Sequence, residues 1–171
     1  MTDEPLTGHD GPYQAPVRLD GGRVKPDWID YNGHMNVAYY TLAFDTAIDA
    51  FLEDHLGLGE SHVSATATGP YALQSNYAYA AELLEGERFF VTIRLVDHDP
   101  KRMHLFCQMR KAGDDSLAAT VETLLMNVDH AAKRAVAYPE WAVTRLARMQ
   151  RDHARLPDDP QIGAPIGIRR R

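Results

Sequence analysis

The sequence predicts an α+β fold in which an antiparallel sheet wraps one long central helix, with an extra helix near the C-terminal end. Three observations carry this. Tyr40, Phe44, Ala47, Ile48, Phe51 and Leu52 recur at spacings of three and four and keep Asp45, Asp49, Glu53 and Asp54 on the other side, the pattern of an amphipathic helix. From Tyr71 the period drops to two through successive stretches, as strands with one buried face require. The links between them, at Glu85-Gly86, Asp97 to Lys101 and Gly113 to Ser116, are short and rich in turn residues, which suits antiparallel neighbours.

At 171 residues the chain can bury a core as one domain. It has 18 Lys and Arg against 24 Asp and Glu, and the net charge of −6 argues against a general nucleic-acid role. Residues 1–16, with Pro5, Gly8, Gly11, Pro12 and Pro16, read as a flexible arm lacking the hydrophobic core of a signal peptide. Val17 to Lys25 supplies a first strand, which Asp20-Gly21-Gly22 interrupts as a hairpin turn or a bulge. Asn32-Gly33 reverses the chain, Asn36 stands where a helix N-cap belongs, and Gly57 and Gly59 end the helix. Ser61 to Gly69 is small and polar, a loop of the kind that can sit over a pocket.

The strands follow. Tyr71, Leu73, Ser75, Tyr77 and Tyr79 form one aromatic-rich face, then Phe89 to Leu95, Met103 to Met109 and Leu117 to Leu125 supply further alternating faces. Pro139 opens a second helix to about Arg155, with Trp141, Leu146 and Met149 as its buried side. Leu156-Pro157-Asp158-Asp159-Pro160 breaks it. The domain thus spans residues 17–156 and a tail spans 157–171, ending in Arg169-Arg170-Arg171 as a solvated end. Cys107, the single cysteine, leaves no internal disulfide, and no stretch reaches the apolar length of a membrane span, so a cytoplasmic protein is expected. There is neither a Gly-rich phosphate loop nor metal-ligand spacing, and no metal site is expected.

The chemistry points to Asp30 through Tyr40. Here an acid, an amide, an imidazole and a glycine turn stand against the start of the long helix. Asp30 is thereby delivered near the positive end of a helix dipole, with unpaired N–H groups around Val37. A carboxylate beside free backbone donors suits acyl transfer: the acid attacks or deprotonates, and the donors hold the developing oxyanion.

Asp30-Tyr31-Asn32-Gly33-His34-Met35-Asn36 resembles the Asp-x-x-Gly-His-x-Asn signature of hotdog-fold acyl-CoA thioesterases, the group that includes 4-hydroxybenzoyl-CoA thioesterase. Asp99 to Phe106, Ala118 to Glu122 and Asn127-Val128-Asp129 resemble the later strands of the betainyl-CoA thioesterase branch, which also occurs fused to carnitine dehydrogenases. The resemblance spans roughly residues 17–156.

It implies a hydrolase of a small acyl-CoA, with betainyl-CoA as a candidate. Asp30 would be nucleophile or general base, the Val37 backbone N–H the oxyanion donor, Asn36 the holder of the helix start, and His34 a loop-orienting or thioester-contacting residue. Coenzyme A would enter as part of the substrate, with no separate cofactor. Its phosphates would meet Lys101 and Arg102, with Arg110 and Lys111 as weaker choices. Tyr40, Tyr71, Gln74 and Asn76 would line the acyl site. A cation–π cage for a trimethylammonium head could draw on Trp28, Tyr31, Tyr40, Tyr71, Tyr77 and Tyr79. Gln74 and Asn76 stand where the branch carries Glu and His, which leaves a neutral or aromatic acyl group open. The resemblance further implies a homodimer or homotetramer with pockets at the subunit seam. The reading from a different class is a non-catalytic hotdog module that binds an acyl-CoA or small ligand.

Overall fold

The computed structural model describes residues 4–168. Six strands form one antiparallel sheet: β1 (Val17–Arg23), β2 (Thr68–Tyr79), β3 (Arg88–His98), β4 (Arg102–Lys111), β5 (Leu117–Asp129) and the short β6 (Arg134–Ala135). The strand order is β1-β3-β4-β5-β2, with β6 paired to β5. Helix α1 (Val37–Phe51) lies in the curl of the sheet, continues as a wider turn over Leu52–Leu56, and is followed by α2 (Glu60–Thr66) and α3 (Glu140–His153).

The core is the one the periodicities predict. Tyr40, Phe44, Ala47, Ile48 and Phe51 of α1 meet Val91, Ile93 and Leu95 of β3, Met103, Leu105, Cys107 and Met109 of β4, and Val121 and Leu125 of β5, all buried. Each large apolar side chain so buried contributes about 1.5–3 kcal/mol. Burial also pushes the Cys107 thiol far above its ordinary range, so it is an inert core residue. The Asp20–Gly22 interruption is a bulge within β1, not a hairpin.

Four expectations are corrected. Residues 7–16, expected as a flexible arm, are packed: Tyr13 is buried, its N–H donates to Asp152, and Arg145 of α3 donates to the Thr7 carbonyl and the Asp10 carboxylate. Gly8 and Gly57, both at positive φ, let the two backbones touch there, since a Cβ on Gly57 would stand 2.5 Å from the Thr7 carbonyl oxygen.

The polar stretch Ser61 to Gly69 is not a loop over a pocket. It begins as α2, whose first turn is held by the Glu53 carboxylate accepting from the Ser61 N–H (3.1 Å) and hydroxyl (2.5 Å), which also draws the Glu53 carboxyl below its usual range. The capping group comes from eight residues upstream, outside any local capping pattern.

In β2, the register slips between Ala72 and Gln74, so Leu73 is an extra residue and the side chains beyond it change faces. Tyr77 packs inward on Phe44, whereas Tyr71 pairs with Met126 on the outer face and stacks on His130. The predicted single aromatic face is therefore split across both sides.

The tail, finally, is partly bound. Residues 157–164 cross the outer face of the sheet, where Arg94 donates to the Pro157 carbonyl, Gln108 to Asp159, and the Gly163 N–H to Glu122. Arg169-Arg170-Arg171 and the first three residues lie outside the described residues. Among the described residues no helix is long and apolar enough to cross a membrane.

His153 ties three of these pieces together. It accepts from the Leu95 N–H at Nδ1 (2.9 Å), which leaves Nε2–H to donate to the Gln14 carbonyl (2.9 Å). Burial lowers its pKa below the ordinary 6.5, because a second proton would be desolvated and would face the Leu95 N–H. The unfolded chain binds that proton at higher pH than the folded one, so His153's contribution is whole above pH 6.5 and is lost as pH falls toward its folded pKa. His55 and His62 are shifted in the same direction, also by burial first. The expected result is a thermal midpoint that drops between pH 7 and pH 5, with a shallower drop in His153→Gln; parallel pH profiles would refute the assignment.

Candidate active site

The Asp30 loop is built from its own hydrogen bonds. Ile29 and Met35 bridge as antiparallel partners, Asp30 N–H donates to the His34 carbonyl (3.1 Å), and Gly33 N–H donates to the Asp30 carbonyl (3.0 Å). Gly33 takes φ +83°, the conformation the turn needs and that side chains disfavour. The Asp30 carboxylate accepts from the Asn32 N–H at Oδ1 (2.8 Å), leaving Oδ2 without a partner among the described residues. The carboxylate is half-buried, so it is oriented and still accessible.

The loop is locked onto the start of α1. Asn36 N–H donates to the Trp28 carbonyl (2.9 Å), Met35 N–H to the Leu83 carbonyl (2.8 Å), and the Asn36 side chain accepts from the Ala38 N–H (2.9 Å). Asn36 is thus the N-cap expected of it. Val37 is the first helical residue and is exposed; its N–H is one of those at a helix start that no preceding carbonyl can satisfy. Asp30 and Val37 are therefore joined through one short, rigid segment. His34 makes only a local contact, Nδ1 lying 3.4 Å from the Met35 carbonyl oxygen.

The other expected site residues do not gather there within one chain. Tyr40 is 4% exposed and is structural: its hydroxyl accepts from the Leu83 N–H (3.0 Å) and reaches the Ala81 carbonyl (3.5 Å), fixing the segment that holds Met35. Burial also raises its phenol pKa. Tyr40→Phe should leave the Leu83 N–H unpaired, cost about 1–3 kcal/mol of stability and leave KM unchanged; a raised KM with unchanged thermal midpoint would restore the substrate-binding role.

Gln74 and Asn76 lie on the outer sheet face, away from α1, lining a cavity of about 550 Å³ with His104 and Glu122; no residue of the Asp30 loop borders it. Lys101 and Arg102 stand at the start of β4, while the Asp30 loop is tied to Leu83, beside the other end of the sheet. The ten residues of β4 place these ends roughly 30 Å apart. Arg102 is moreover held by Asp99 through Nε (2.8 Å) and Nη2 (2.5 Å), a pairing that lowers the Asp99 pKa. Arg110 and Lys111 are likewise engaged, with Gln108 and Asp115 and with Glu87 respectively.

The six cage candidates do not converge on one point, although Tyr40 and Tyr79 meet edge to face (5.3 Å). Trp28 stacks on Tyr39, Tyr31 is 96% exposed, Tyr40 and Tyr77 are spent on the core, and Tyr71 and Tyr79 stand near opposite ends of β2. The pair missed by sequence reasoning is His104 and Glu122, whose Nε2 and Oε1 are 2.7 Å apart on neighbouring strands. Their residue types on outward positions of β4 and β5 were the available signal, but only strand register shows that they meet.

Known proteins share both the fold and the sequence. Residues 24–146 match the thioesterase-like superfamily. The chain is 30% identical over 145 residues to a betainyl-CoA thioesterase of Pseudomonas aeruginosa, covering 85% of this chain and 91% of that protein. It is 29% identical over 156 residues to an L-carnitine dehydrogenase/betainyl-CoA thioesterase of Rhizobium meliloti, covering 91% of this chain and 31% of that longer protein. A Staphylococcus aureus protein solved in complex with CoA superposes with a TM-score of 0.80 at 27% identity, over 93% of this chain and all of that one. With a curled sheet around α1, the acid motif at the helix start and this kinship, the chain belongs to the thioesterase-like superfamily and is a hotdog-fold thioester hydrolase.

Proposed function

We propose that the protein hydrolyses a small acyl-CoA, with betainyl-CoA the leading candidate, and that Asp30 carries the reaction. The carrying observation is the accessible Asp30 carboxylate, its Oδ2 unpartnered among the described residues, on a hydrogen-bonded loop that runs into the helix start at Val37. The thioester oxygen would accept from that N–H as negative charge develops, aided by the positive end of the α1 dipole. Asp30 Oδ2 would then act on the carbonyl carbon in one of two ways. It attacks directly, expelling the CoA thiolate and leaving an acyl–Asp30 anhydride that water cleaves, or it takes the proton of a water that attacks. His34 orients the loop.

The proposal extends to a homodimer formed through β2. Among the described residues this strand has a neighbour on one side only, and Tyr71, Leu73 and Tyr79 are each about half exposed along it. A long, apolar, unpaired edge is a template for a second strand. Antiparallel pairing about a two-fold axis would bring the Tyr71 end of one copy toward the Tyr79 end of the other. Lys101 and Tyr71 of one copy would then approach the Asp30 loop of its partner, which accounts for their separation within a single chain. The betainyl assignment is supported by the names of the relatives; the aromatic side chains of one chain do not supply a cage.

The test is thiol release from a panel of acyl-CoA thioesters that includes betainyl-CoA and neutral short acyl groups, with the solution mass measured alongside. Preferential hydrolysis of betainyl-CoA by a dimer is the expected result. Binding of acyl-CoA without hydrolysis of any member would favour the non-catalytic module, and a monomeric mass would remove the seam.

A further inference from the structure

We propose that the cavity between the outer sheet face and the C-terminal segment binds a small primary alkylammonium compound, at a site separate from the Asp30 loop. The cavity of about 550 Å³ falls in the range of small-molecule sites. Its polar wall is organised. His104 Nε2 and Glu122 Oε1 are 2.7 Å apart, and Glu122 Oε2 accepts from the Gly163 N–H of the crossing segment (2.8 Å). In the neutral tautomer whose Nε2–H donates to the carboxylate, His104 Nδ1 is an acceptor with no partner among the described residues. Among the described residues the Gln74 side chain makes no hydrogen bond, and Asn76 donates only a long one (3.5 Å) to the Ala164 carbonyl, so both amide oxygens are available. Each carboxylate oxygen of Glu122 also retains a lone pair.

The wall is thus rich in acceptors and, with His104 neutral, carries one formal negative charge; among the described residues neither Lys nor Arg lines the cavity. An anion would meet Glu122 unpaired, which is unfavourable. A quaternary ammonium has no N–H to give these acceptors, and none of the described residues lining the cavity is a Trp, Tyr or Phe whose ring could hold one by cation–π attraction. A primary ammonium has three donors, no acceptor and one positive charge, and matches the wall on both counts. Leu124 and Ile166 supply an apolar surface for a short alkyl chain. The roof is this chain's own tail, pinned by Asn76, Gln108, Thr120 and Glu122 from three strands, so occupancy and tail position are coupled.

The test compares three probes with one tail: hexylammonium, hexyltrimethylammonium and hexanoate, titrated into the full chain by calorimetry while the His104 Cε1–H resonance is followed by NMR. Hexylammonium should bind saturably at one site and move that resonance, with the other two about tenfold or more weaker, as expected when a charged hydrogen bond is lost. Glu122→Gln, which keeps the shape and removes the charge, should weaken hexylammonium by about tenfold or more. Gln74→Leu changes an exposed edge position outside the His104–Glu122 pair, so it keeps the test valid if Glu122→Gln fails to fold, and it should also weaken binding. Equal affinity for hexyltrimethylammonium, a silent His104 resonance, or unchanged affinity in Gln74→Leu would overturn the proposal. The probes carry no thioester, so this result and that of the hydrolysis panel are independent.

Discussion

Asp30→Asn should lower kcat for the preferred acyl-CoA by about a thousandfold or more, the scale lost when a positioned acid–base or nucleophilic carboxylate is removed. The loop should survive the change, because the amide oxygen of Asn can still accept from the Asn32 N–H as Asp30 Oδ1 does. The remaining ties of the loop are backbone bonds and the Asn36 cap on Ala38, none of which uses the Asp30 side chain. An unchanged thermal midpoint with near-complete loss of turnover is therefore expected in stopped-flow or thiol-release assays. A variant that keeps near-normal kcat would dismiss Asp30 and, with it, the proposed mechanism. Single turnover in H₂¹⁸O gives a one-way test: label in Asp30 marks direct attack through the anhydride, whereas labelled acid is the product of either route.

Arg145→Met should be the most damaging single change to stability outside the apolar core. Arg145 is 5% exposed, and its guanidinium donates to Asp10 (2.8 Å), the Thr7 carbonyl (2.8 Å) and the Leu56 carbonyl (3.0 Å). Methionine keeps a stem to pack beside Trp141 but leaves the two carbonyls without their donor. Losing a buried, charged hydrogen-bonding group costs about 3 kcal/mol or more, which lowers the thermal midpoint of a domain this size by roughly 6–12 °C. The bonds from Tyr13 to Asp152 and from His153 to Gln14 hold the rest of the segment. Proteolysis of the variant should begin before Tyr13. A midpoint within about 1 °C of wild type would show that residues 7–12 are carried by the other contacts alone.

The acid motif and its cap were legible because they are local. The side chains of Asp30 and Asn36 and the turn at Gly33 act on neighbours within four residues, through bonds that any chain with those residue types at that spacing can form. The α1 face and the inward rows of β3, β4 and β5 were legible for a similar reason, since helix and strand periods project a linear pattern onto one side of an element. Tyr40 marks the limit of such local reading, because a tyrosine one turn into a helix beside a motif looks the same in sequence whether its hydroxyl meets a ligand or, as the fold has it, the Leu83 N–H.

The sequence by itself thus determined the architecture, the core rows and the loop that delivers Asp30 to the start of α1. Tertiary structure alone decided the face on which Gln74 and Asn76 stand, because the extra residue Leu73 shifts the register of β2 against β5 and reverses the alternation beyond it. It also decided that residues 7–16 dock on α3, that Glu53 caps α2, that the tail crosses the outer face, and that His104 meets Glu122. Each of these joins groups from separate elements or turns, eight to about 140 residues apart. Such pairings depend on which surfaces remain uncovered once the core has closed, and a local period carries no record of that.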